Sequence, residues 1–541
     1  MAELMQKLML GTLPRACLFL FLFFLVFVGY WFTGKFSAKR RQRLPPSPPA
    51  LPIIGHLHLI GSLPHVSLRN LAKKHGPDVM LLRLGAVPNL VVSSSHAAEA
   101  VLRTHDHVFA SRPHSVVSDT IMYGSCDIGF APYGEYWRQA KKLVTTHMLS
   151  VKKVQSFRSA AAEEISIVVA KINEAAAADG EVDMSELLHT FANDMACRIV
   201  SGKFFLRDGR SKLFRELIKD TSRLLGGFSL EEYFPALGRV GVLKKAVCAK
   251  AKRVRNRWAD LLDQVIDDHV SKRKLASDHK DDDFVDIMLS VQQEYALTRE
   301  HMKALLTVST HNTFQTKQVD LYISFIVLIN SYTQDVFFGA IDTSANVLEF
   351  TLAELMRRPH MMEKLQDEVR GIVPQGQEII SETDMNNMTY LRAVIKESLR
   401  LRPVAPLLAP HLAMADCIID GYIVPAGTRV VVNAWAIGRD PSSWEYPEEF
   451  IPERFTDEGS TMHINFKGND FQFLPFGAGR RMCPGMNLGI ANVELMLANL
   501  VCHFDWELPL GVGRKDIDMT EVFGLTVRRK EKLLLVPKSR M

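Results

Sequence analysis

The 541-residue sequence predicts a mainly α-helical fold with a minor β region. Most of residues 96–400 show the apolar spacing of helices, whereas short β-branched runs separated by glycine and proline turns follow Pro403. Hydrophobic residues make up 47% of the chain, enough for a large buried core, and no interior linker divides the body. We therefore expect one large domain, residues 53–541, behind a distinct N-terminal segment.

Residues 1–34 predict a single-pass membrane anchor. Ala16–Phe32 is uncharged and rich in Leu and Phe, and its length is near the lower limit of about 17 residues for a membrane-spanning helix. The basic residues that follow should face the cytosol, so the N-terminus is expected in the lumen and the body in the cytosol. A cleaved signal peptide is the alternative, but bulky and basic residues stand where a small-residue cleavage site is needed.

Residues 35–52 predict a basic and proline-rich hinge. The basic residues are Lys35, Lys39, Arg40, Arg41 and Arg43, and the prolines lie between Pro45 and Pro52. Repeated proline restricts φ and makes a stiff, extended spacer. We expect this spacer to hold the body at a set angle to the membrane.

Charge and cysteine content exclude several classes. The net charge of +5 arises from 65 basic and 60 acidic residues and is too weak and dispersed to indicate a nucleic-acid partner. The cysteines are scattered and form no Cys-x-x-Cys pair, so neither a disulfide framework nor a zinc site is predicted. Free thiols fit a reducing compartment.

The body begins with a predicted strand hairpin, Val79–Ser95, with Gly85 and Pro88 between its strands. Further predicted elements are helices at Ala97–Leu102, Val154–Glu174 and Val254–His269, a charged surface loop at Ser271–Asp283, and small strands within Cys417–Val432 and Val522–Val536.

Residues 308–334 interrupt a predicted central helix. Thr298 is a natural N-cap, and the helical pattern stops at Thr307 and resumes at Asp335. The 27 intervening residues are first polar and then apolar and β-prone, and the apolar part, Leu321–Ile329, is too short to cross a membrane as a helix. Our hypothesis is a translated intron or gene-model error, which sequencing of the transcript tests.

The run from Phe476 to Gly485 indicates the chemistry. It places Cys483 in a glycine-bracketed loop just before an apolar helical run, Leu488–Leu500. Glycines allow a backbone to approach a flat ligand closely, and the charge of Arg481 together with the helix start favours the thiolate. The pattern Phe-x-x-Gly-x-Arg-x-Cys-x-Gly resembles the cysteine loop of the cytochrome P-450 family, the heme-thiolate monooxygenases. A buried structural cysteine is the alternative.

The five fixed positions of that pattern are Phe476, Gly479, Arg481, Cys483 and Gly485. The resemblance implies the P-450 fold, heme b as cofactor, and Cys483 as the axial ligand of the iron. It implies insertion of one oxygen atom from O2 into a small hydrophobic substrate, with electrons from NADPH through an NADPH–cytochrome reductase. The order of anchor, hinge and motifs resembles plant microsomal A-type members, especially grass enzymes of specialised metabolism, which implies a location in the endoplasmic reticulum membrane.

Asp342 and Thr343 are the candidate catalytic residues. An acid followed by threonine in mid-helix is unusual, because threonine prefers helix caps. By the resemblance, Thr343 lies in the oxygen-activating groove with a bound water, and Asp342 relays protons from solvent. The family usually has glycine where Ala340 stands. A solvent-facing Asp-Thr pair is the alternative.

The resemblance also implies residues that hold the heme propionates. Trp137 and Lys141 match a Trp-x-x-x-Arg helix in which the last residue is normally arginine, and lysine cannot form a forked contact. Arg112, His411 and Arg481 are the further propionate candidates.

Glu397 and Arg400 are three residues apart and share one face of a predicted helix. An ordinary surface ion pair is one interpretation. The resemblance implies instead that Glu397, Arg400 and Arg454 form a structural lock that supports the cysteine loop.

The substrate is not named by the sequence. By the resemblance, Ser115–Gly129, Gly339, Val404–Leu408 and Phe523–Thr526 line a largely apolar pocket. Indole-derived compounds, terpenoids and flavonoids all remain candidates. Two other functions also remain open: a heme-thiolate isomerase or dehydratase that needs no reductase, and a membrane protein whose catalysis is impaired by residues 308–334.

Overall fold

The computed structural model of the chain describes Phe23 and residues 44–540, apart from 123, 126, 203–209, 227–229, 236–240, 276–282, 291–338, 375, 381, 458 and 460. The anchor and basic patch, the cap at Thr298 and the segment 308–334 therefore lie outside the described residues. Within the described residues, no helix is both long enough and apolar enough to cross a membrane.

Helices dominate the architecture. In chain order they are α1 Pro64–His75, α2 Ser95–Glu99, α3 Asp106–Phe109, α4 Val116–Ile121, α5 Glu135–Leu143, α6 Val151–Ser156, α7 Arg158–Ala177, α8 Met184–Ser201, α9 Arg210–Leu225, α10 Leu230–Tyr233, α11 Gly241–Leu275, α12 Phe284–Ser290, α13 (residues 339–357), α14 Pro359–Ile372, α15 Glu382–Met385, α16 Thr389–Leu401, α17 Ala434–Ile437 and α18 Met486–His503. Short 3-10 helices cover Leu57–Leu59, Pro452–Phe455, Gly479–Arg481 and Arg514–Asp516, and π-helical turns cover Ala100–Thr104 and Val144–Met148.

The strands form small sheets at the periphery. They are β1 Val79–Leu84, β2 Val87–Val92, β3 Val182–Asp183, β4 His411–Leu412, β5 Cys417–Ile419, β6 Tyr422–Val424, β7 Arg429–Val432, β8 Phe504–Glu507, β9 Glu521–Val522, β10 Arg528–Arg529 and β11 Leu534–Ser539. The orders are β1-β2-β7-β4, β10-β9, β3-β11-β8 and β5-β6. The β2–β7 pair is parallel and the others are antiparallel.

The predicted hairpin is β1–β2, but its turn is shorter than expected. Gly85 adopts a φ of 61° at the turn, a conformation that glycine reaches without a Cβ clash. Pro88 lies inside β2, opposite Arg83, rather than in the turn. On its other side β2 pairs with β7, so residues far apart in the chain share this sheet.

The predicted bounds of one helix and one loop need correction. The helix expected over Val154–Glu174 is divided at Phe157 into α6 and α7. The loop expected from Ser271 starts later, because α11 continues to Leu275, and Asp283 is buried rather than on the surface. Asp283 caps α12 by accepting a hydrogen bond from the Asp286 N–H at 2.9 Å.

The main core lies where α13, α16 and α18 pack with their neighbours. Residues 344–355 of α13 are buried without exception, and both α16 and the second half of α18 are almost wholly buried. Pro359 at the start of α14 ends α13, because proline cannot extend a helix but suits a first turn. This core fixes α13 at one wall of a cavity and the N-terminus of α18 at another.

Candidate active site

The cysteine loop is held open by its glycines. Gly477 and Gly479 both adopt a φ of 67°, and a side chain on Gly479 would overlap the carbonyl oxygen of Leu102. The Cys483 N–H donates to the Phe476 carbonyl oxygen at 3.0 Å, and α18 begins after Gly485. Cys483 is thereby presented to a cavity instead of being packed in the core.

That cavity has a volume of about 380 Å³ and mostly apolar walls. Phe476, Cys483 and Gly485 line one side, whereas Gly479 supports the loop from outside the lining. Thr343, Ala340 and Ser344 of α13 line it as well. Its remaining walls include Ile128 and Gly129, Val404, Ala405 and Leu408, and Leu525 and Thr526, so each segment predicted to contact substrate contributes to it.

The environment of the Cys483 thiol differs from the sequence-based expectation. Its surface faces the cavity, and burial inside the protein raises its pKa, while the N–H groups of Gly485 and Met486 and the charge of Lys141 oppose the rise. Arg481 does not supply that charge. Its guanidinium donates to backbone carbonyls, including those of Ala110 and Ile128. Lys141 is therefore the cation that favours the thiolate.

Lys141 reaches the cysteine loop from α5. Its ammonium donates to the carbonyl oxygen of Arg480 and, at 3.5 Å, to that of Met482. Burial and the nearby charge of Arg481 lower the pKa of Lys141 to about 8. Trp137, one turn earlier, is buried, and its indole N–H donates to the Ile128 carbonyl at 3.0 Å.

Arg481 stacks over Trp137, with 4.1 Å between the guanidinium carbon and the ring centroid. Burial and the charge of Arg112 lower the pKa of Arg481 to about 9. Arg112 donates to the carbonyls of Gly129, Ala409 and Pro410, and burial lowers its pKa to about 10.

His411 joins this group in a neutral form. Burial, with the charges of Arg112 and Arg481, lowers the pKa of His411 to about 3. Its Nδ1 lies 2.8 Å from the Phe109 carbonyl oxygen and must be the donor there. A neutral ring then offers only an acceptor at Nε2, so His411 would contact a carboxylate only when protonated.

Thr343 and Asp342 point in different directions from α13. Thr343 lines the cavity, and its hydroxyl donates to the Gly339 carbonyl oxygen, one turn earlier. Asp342 is not part of the lining. Its carboxylate accepts a hydrogen bond from the Ser222 hydroxyl at 3.4 Å, and burial raises its pKa. The structure thus places the acid with a raised pKa against α9, one residue from the threonine that lines the cavity.

Glu397, Arg400 and Arg454 come together in a buried cluster. Arg400 forks onto the Glu397 carboxylate at 2.7 and 2.8 Å, and Arg454 donates to the same carboxylate at 3.2 Å. The Ile451 N–H adds a further bond at 2.7 Å. Arg400 also donates to the carbonyls of Gly438, Pro447 and Glu449. This is a cross-link between α16 and the segment that precedes the cysteine loop, not a surface ion pair.

Several residues near the cavity belong to no motif that the sequence reveals. Asp127 is fully buried beside Arg481, and burial raises its pKa to about 6. Phe130 lines the cavity, and Ser222 of α9 binds Asp342. These residues lie in a loop or on a helix of ordinary polar pattern, so their proximity depends on packing alone.

The charges around the cavity fit an iron porphyrin with two propionates. Three cationic side chains, Arg112, Lys141 and Arg481, line the cavity, and the charge of the buried carboxylate Asp127 acts on Arg112 and Arg481. Burial is the largest cause of the lowered pKa of each cation, so an anion bound in the cavity would favour their charged forms, and the two propionates of a porphyrin are such anions. Cys483 would hold the iron, and the three cations would hold the propionates.

Comparison with known proteins agrees with this arrangement. The sequence profile described as Cytochrome P450 matches residues 45–331 and 328–536. The chain is 53% identical to the indole-2-monooxygenase of Zea mays over 93% of its own length and 88% of that protein. It is 49% identical to the Zea mays indolin-2-one monooxygenase, over 98% of the chain and 96% of that protein.

Among solved structures, a zebra fish cytochrome P450 crystallised with progesterone matches with a TM-score of 0.69 and 25% identity, covering 89% of this chain and all of that one. A second zebra fish cytochrome P450 structure, with abiraterone, has a TM-score of 0.68 at the same coverage. The predicted fold class, a mainly helical P-450 fold with small sheets, is confirmed, and the chain is a member of the cytochrome P450 family, similar to plant monooxygenases of the CYP71 type.

Proposed function

We propose that this heme-dependent monooxygenase inserts one oxygen atom into a small indole-type metabolite at the endoplasmic reticulum membrane. The observation that carries the proposal is the apolar cavity between Cys483 and Thr343, in a chain 53% identical to an indole-2-monooxygenase. Electrons come from NADPH through a membrane-bound NADPH–cytochrome reductase. When bound, heme supplies activation of O2, and thiolate ligation favours O–O cleavage.

The residues of the chain have distinct roles in this proposal. Cys483 would ligate the heme iron, and the Gly485 and Met486 N–H groups together with Lys141 would stabilise its thiolate. Thr343 orders a water molecule at the cavity wall. Asp342, whose pKa burial raises, delivers a proton toward that water from behind α13.

The polarity of the cavity supports an apolar substrate. Its lining is dominated by apolar side chains, and two of the segments that form it, Val404–Leu408 and Phe523–Thr526, contribute aliphatic residues. Desolvation then supplies most of the binding free energy. The relatives from Zea mays are named for indole, indolin-2-one and 3-hydroxyindolin-2-one, which share one bicyclic skeleton.

The membrane location rests on the sequence of the N-terminal segment. Ala16–Phe32 and the basic hinge support a retained anchor with the catalytic domain in the cytosol. Carbonate extraction of microsomes tests this: the full chain should stay in the pellet, and a variant without residues 1–34 should be released.

The second candidate function is that of a membrane protein with impaired catalysis, because residues 308–334 interrupt the predicted central helix. The family profile matches the chain in two pieces that meet at 328–331, which supports an interruption of the usual sequence there. In that case the chain would bind little heme.

One experiment separates the candidates. The full chain is expressed with a plant NADPH–cytochrome reductase, and the microsomes are supplied with indole or indolin-2-one. We expect a product heavier by one oxygen atom that forms only with NADPH. Product formation without NADPH would favour an isomerase or dehydratase. Absence of the carbon-monoxide difference band would favour a catalytically impaired protein. A normal band with no oxygenated metabolite would reject indole-type compounds as the substrate class.

A further inference from the structure

Behind the cavity, buried ion pairs join the three segments that face the substrate. These segments are α13, the stretch after α16 that contains Val404, and the hairpin β9–β10 with its turn Phe523–Thr526. None of the ion-pair residues lines the cavity itself. Their contacts instead set how far the three segments stand from one another.

Arg402 is the centre of the network. Its Nε donates to the Glu354 carboxylate at 3.0 Å, and its Nη1 donates to the Glu521 carboxylate at 3.1 Å. Glu354 lies near the C-terminal end of α13, and Glu521 lies in β9. A single guanidinium therefore bridges the helix that carries Thr343 to the hairpin that carries Leu525.

Both carboxylates are firmly ionised. The side chains of Glu354 and Glu521 are 0% and 8% exposed. Burial raises the pKa of each, but the charges of Arg402 and Arg358 outweigh it for Glu354, and the His65 hydrogen bond with the charge of Arg402 outweighs it for Glu521, so both pKa values lie below the ordinary value. Glu354 also binds Arg358, so it is never without a cation.

His65 of α1 extends the network to the N-terminal part of the body. Its Nε2 lies 3.0 Å from the second Glu521 oxygen, and its side chain is fully buried. The His65 ring packs against Phe523 with 6.0 Å between centroids. The turn Phe523–Thr526 is thus held from behind by both a hydrogen bond and an aromatic contact.

A second, independent tie runs in parallel. Arg529 of β10 donates to the Glu349 carboxylate of α13 at 3.3 Å, with both side chains almost fully buried. The Val527 N–H donates to the Val404 carbonyl oxygen at 2.8 Å, which fixes the hairpin to the other substrate-facing segment.

We propose that Arg402 is a positioning residue that sets the width of the substrate cavity through Glu354 and Glu521. Arg402 precedes Val404 by two residues, and Glu521 precedes Leu525 by four, so displacement at either ion pair moves a lining residue directly. Rigid placement of a binding surface depends on such supporting contacts. The inference rests on the proposed function only in taking this cavity as the substrate site.

The test uses two nitrogen ligands of heme iron that are not substrates. Imidazole is small and needs only the iron, whereas 4-phenylimidazole also needs the cavity walls. The variants are Arg402→Lys, which keeps the charge but cannot bridge two carboxylates in the same way, and Glu521→Gln, which keeps the shape. The matched control is Arg370→Lys, whose guanidinium binds Asp505 at 2.9 Å with similar exposure, away from the cavity.

We expect the Kd of 4-phenylimidazole, from spectral titration of the holoprotein, to rise about tenfold in both variants, a loss of about 1.4 kcal/mol. The Kd of imidazole should change less than about twofold, and Arg370→Lys should match the wild type for both ligands. An equal change for both ligands, or none, would overturn the positioning role. If Arg402→Lys binds no heme, the two Kd values of Glu521→Gln test the positioning role. Loss of heme from both variants would overturn that role and show that the network stabilises the fold instead. Because neither ligand is turned over, the result does not depend on whether indole is the substrate.

Discussion

At the scale of single residues, the cation that acts on the Cys483 thiol comes from another part of the chain. Lys141 approaches the cysteine loop, whereas Arg481, only two positions from Cys483, is committed to backbone carbonyls and the Trp137 ring. Lysine is a compact point charge, so it can approach the loop carbonyls without the planar geometry that arginine requires.

Cys483→Ala should abolish the carbon-monoxide difference band of the reduced protein, because no other described thiol lines the cavity. The measurement is the reduced difference spectrum of microsomes. Cys502→Ala, a half-buried cysteine of α18 outside the cavity, is the control and should keep the band. A band retained in Cys483→Ala would refute thiolate ligation at this position.

Thr343→Ala should leave the carbon-monoxide band intact but lower the yield of product per NADPH consumed, by up to about 100-fold. The reason is that the hydroxyl at the cavity wall no longer orders water for proton delivery. Parallel assays of NADPH oxidation and product measure this ratio. Thr343→Ser keeps the hydroxyl and should stay close to wild type, and unchanged coupling in Thr343→Ala would remove the residue from the mechanism.

At the scale of elements, buried charge pairs add to the apolar core in joining neighbouring elements. The Glu397 cluster joins α16 to the segment before the cysteine loop, and His269 joins the end of α11 to the start of α12. Sequence spacing identifies the Glu397–Arg400 pair, but it does not reveal that the pair is buried, because the same i,i+3 spacing also describes exposed pairs.

Glu397→Gln should destabilise the fold by about 3–5 kcal/mol, because it leaves Arg400 and Arg454 buried without a counter-charge. Urea unfolding followed by tryptophan fluorescence measures the change. Glu135→Gln is the matched control, since Glu135 pairs with Arg138 at the same spacing on an exposed face, and it should leave the stability close to that of the wild type. Equal effects of the two substitutions would contradict a buried lock.

The His269–Asp283 pair predicts a pH-dependent stability. His269 Nδ1 donates to the Val265 carbonyl at 2.7 Å, so Nε2, 2.9 Å from Asp283, can donate only when the ring is protonated. Burial opposes the charge, but Asp283 and Asp286 outweigh it and the pKa of His269 is raised. Because the folded pKa exceeds the ordinary value, this stabilisation is present at low pH and lost as pH rises through the folded pKa.

The apparent melting temperature should therefore fall as the pH is raised above about 6.5, the ordinary histidine value. Asp283→Asn should lower the melting temperature at acidic pH and flatten this dependence. Asp420→Asn, at the partner of the exposed His96, serves as the control and should leave the curve unchanged. A profile of the same slope in Asp283→Asn and wild type would exclude His269 as its origin.

At the scale of the whole molecule, the arrangement of the described helices is that of the cytochrome P450 family. The hypothesis that residues 308–334 are an insert concerns residues outside the described part of the chain and stays a prediction. The described part of α13 starts at Gly339 and continues without a break to the Thr343 hydroxyl and beyond. Joining Thr307 to Asp335 restores the helical pattern that leads into α13.

Deletion of residues 308–334 should raise the fraction of expressed protein that shows the carbon-monoxide band, because it removes a β-prone apolar run from the sequence before Asp335. Band height per total protein, measured by immunoblot and difference spectrum, provides the comparison. Deletion of the seven residues 276–282 is a control for shortening the chain. A lower band after deletion of 308–334 would show that the segment belongs to the folded protein.

The cysteine loop, the Asp342–Thr343 pair and the helical class could all be predicted from the sequence, since each is encoded by residues adjacent in the chain or by a local period. The turn at Gly85 and the break at Phe157 were predicted less accurately, because neighbours from β7 and the core decide where such elements end. Backbone preferences alone permit several boundaries there.

The sequence by itself determined the family and predicts which loop binds the heme, because both rest on short motifs with fixed spacing. Only the tertiary structure decided which cation approaches Cys483, that His411 is neutral, and that Arg402 links α13 to the β9–β10 hairpin. The physical reason is that charge and desolvation depend on three-dimensional distance, and packing brings together residues whose separation in the chain carries no record of that distance.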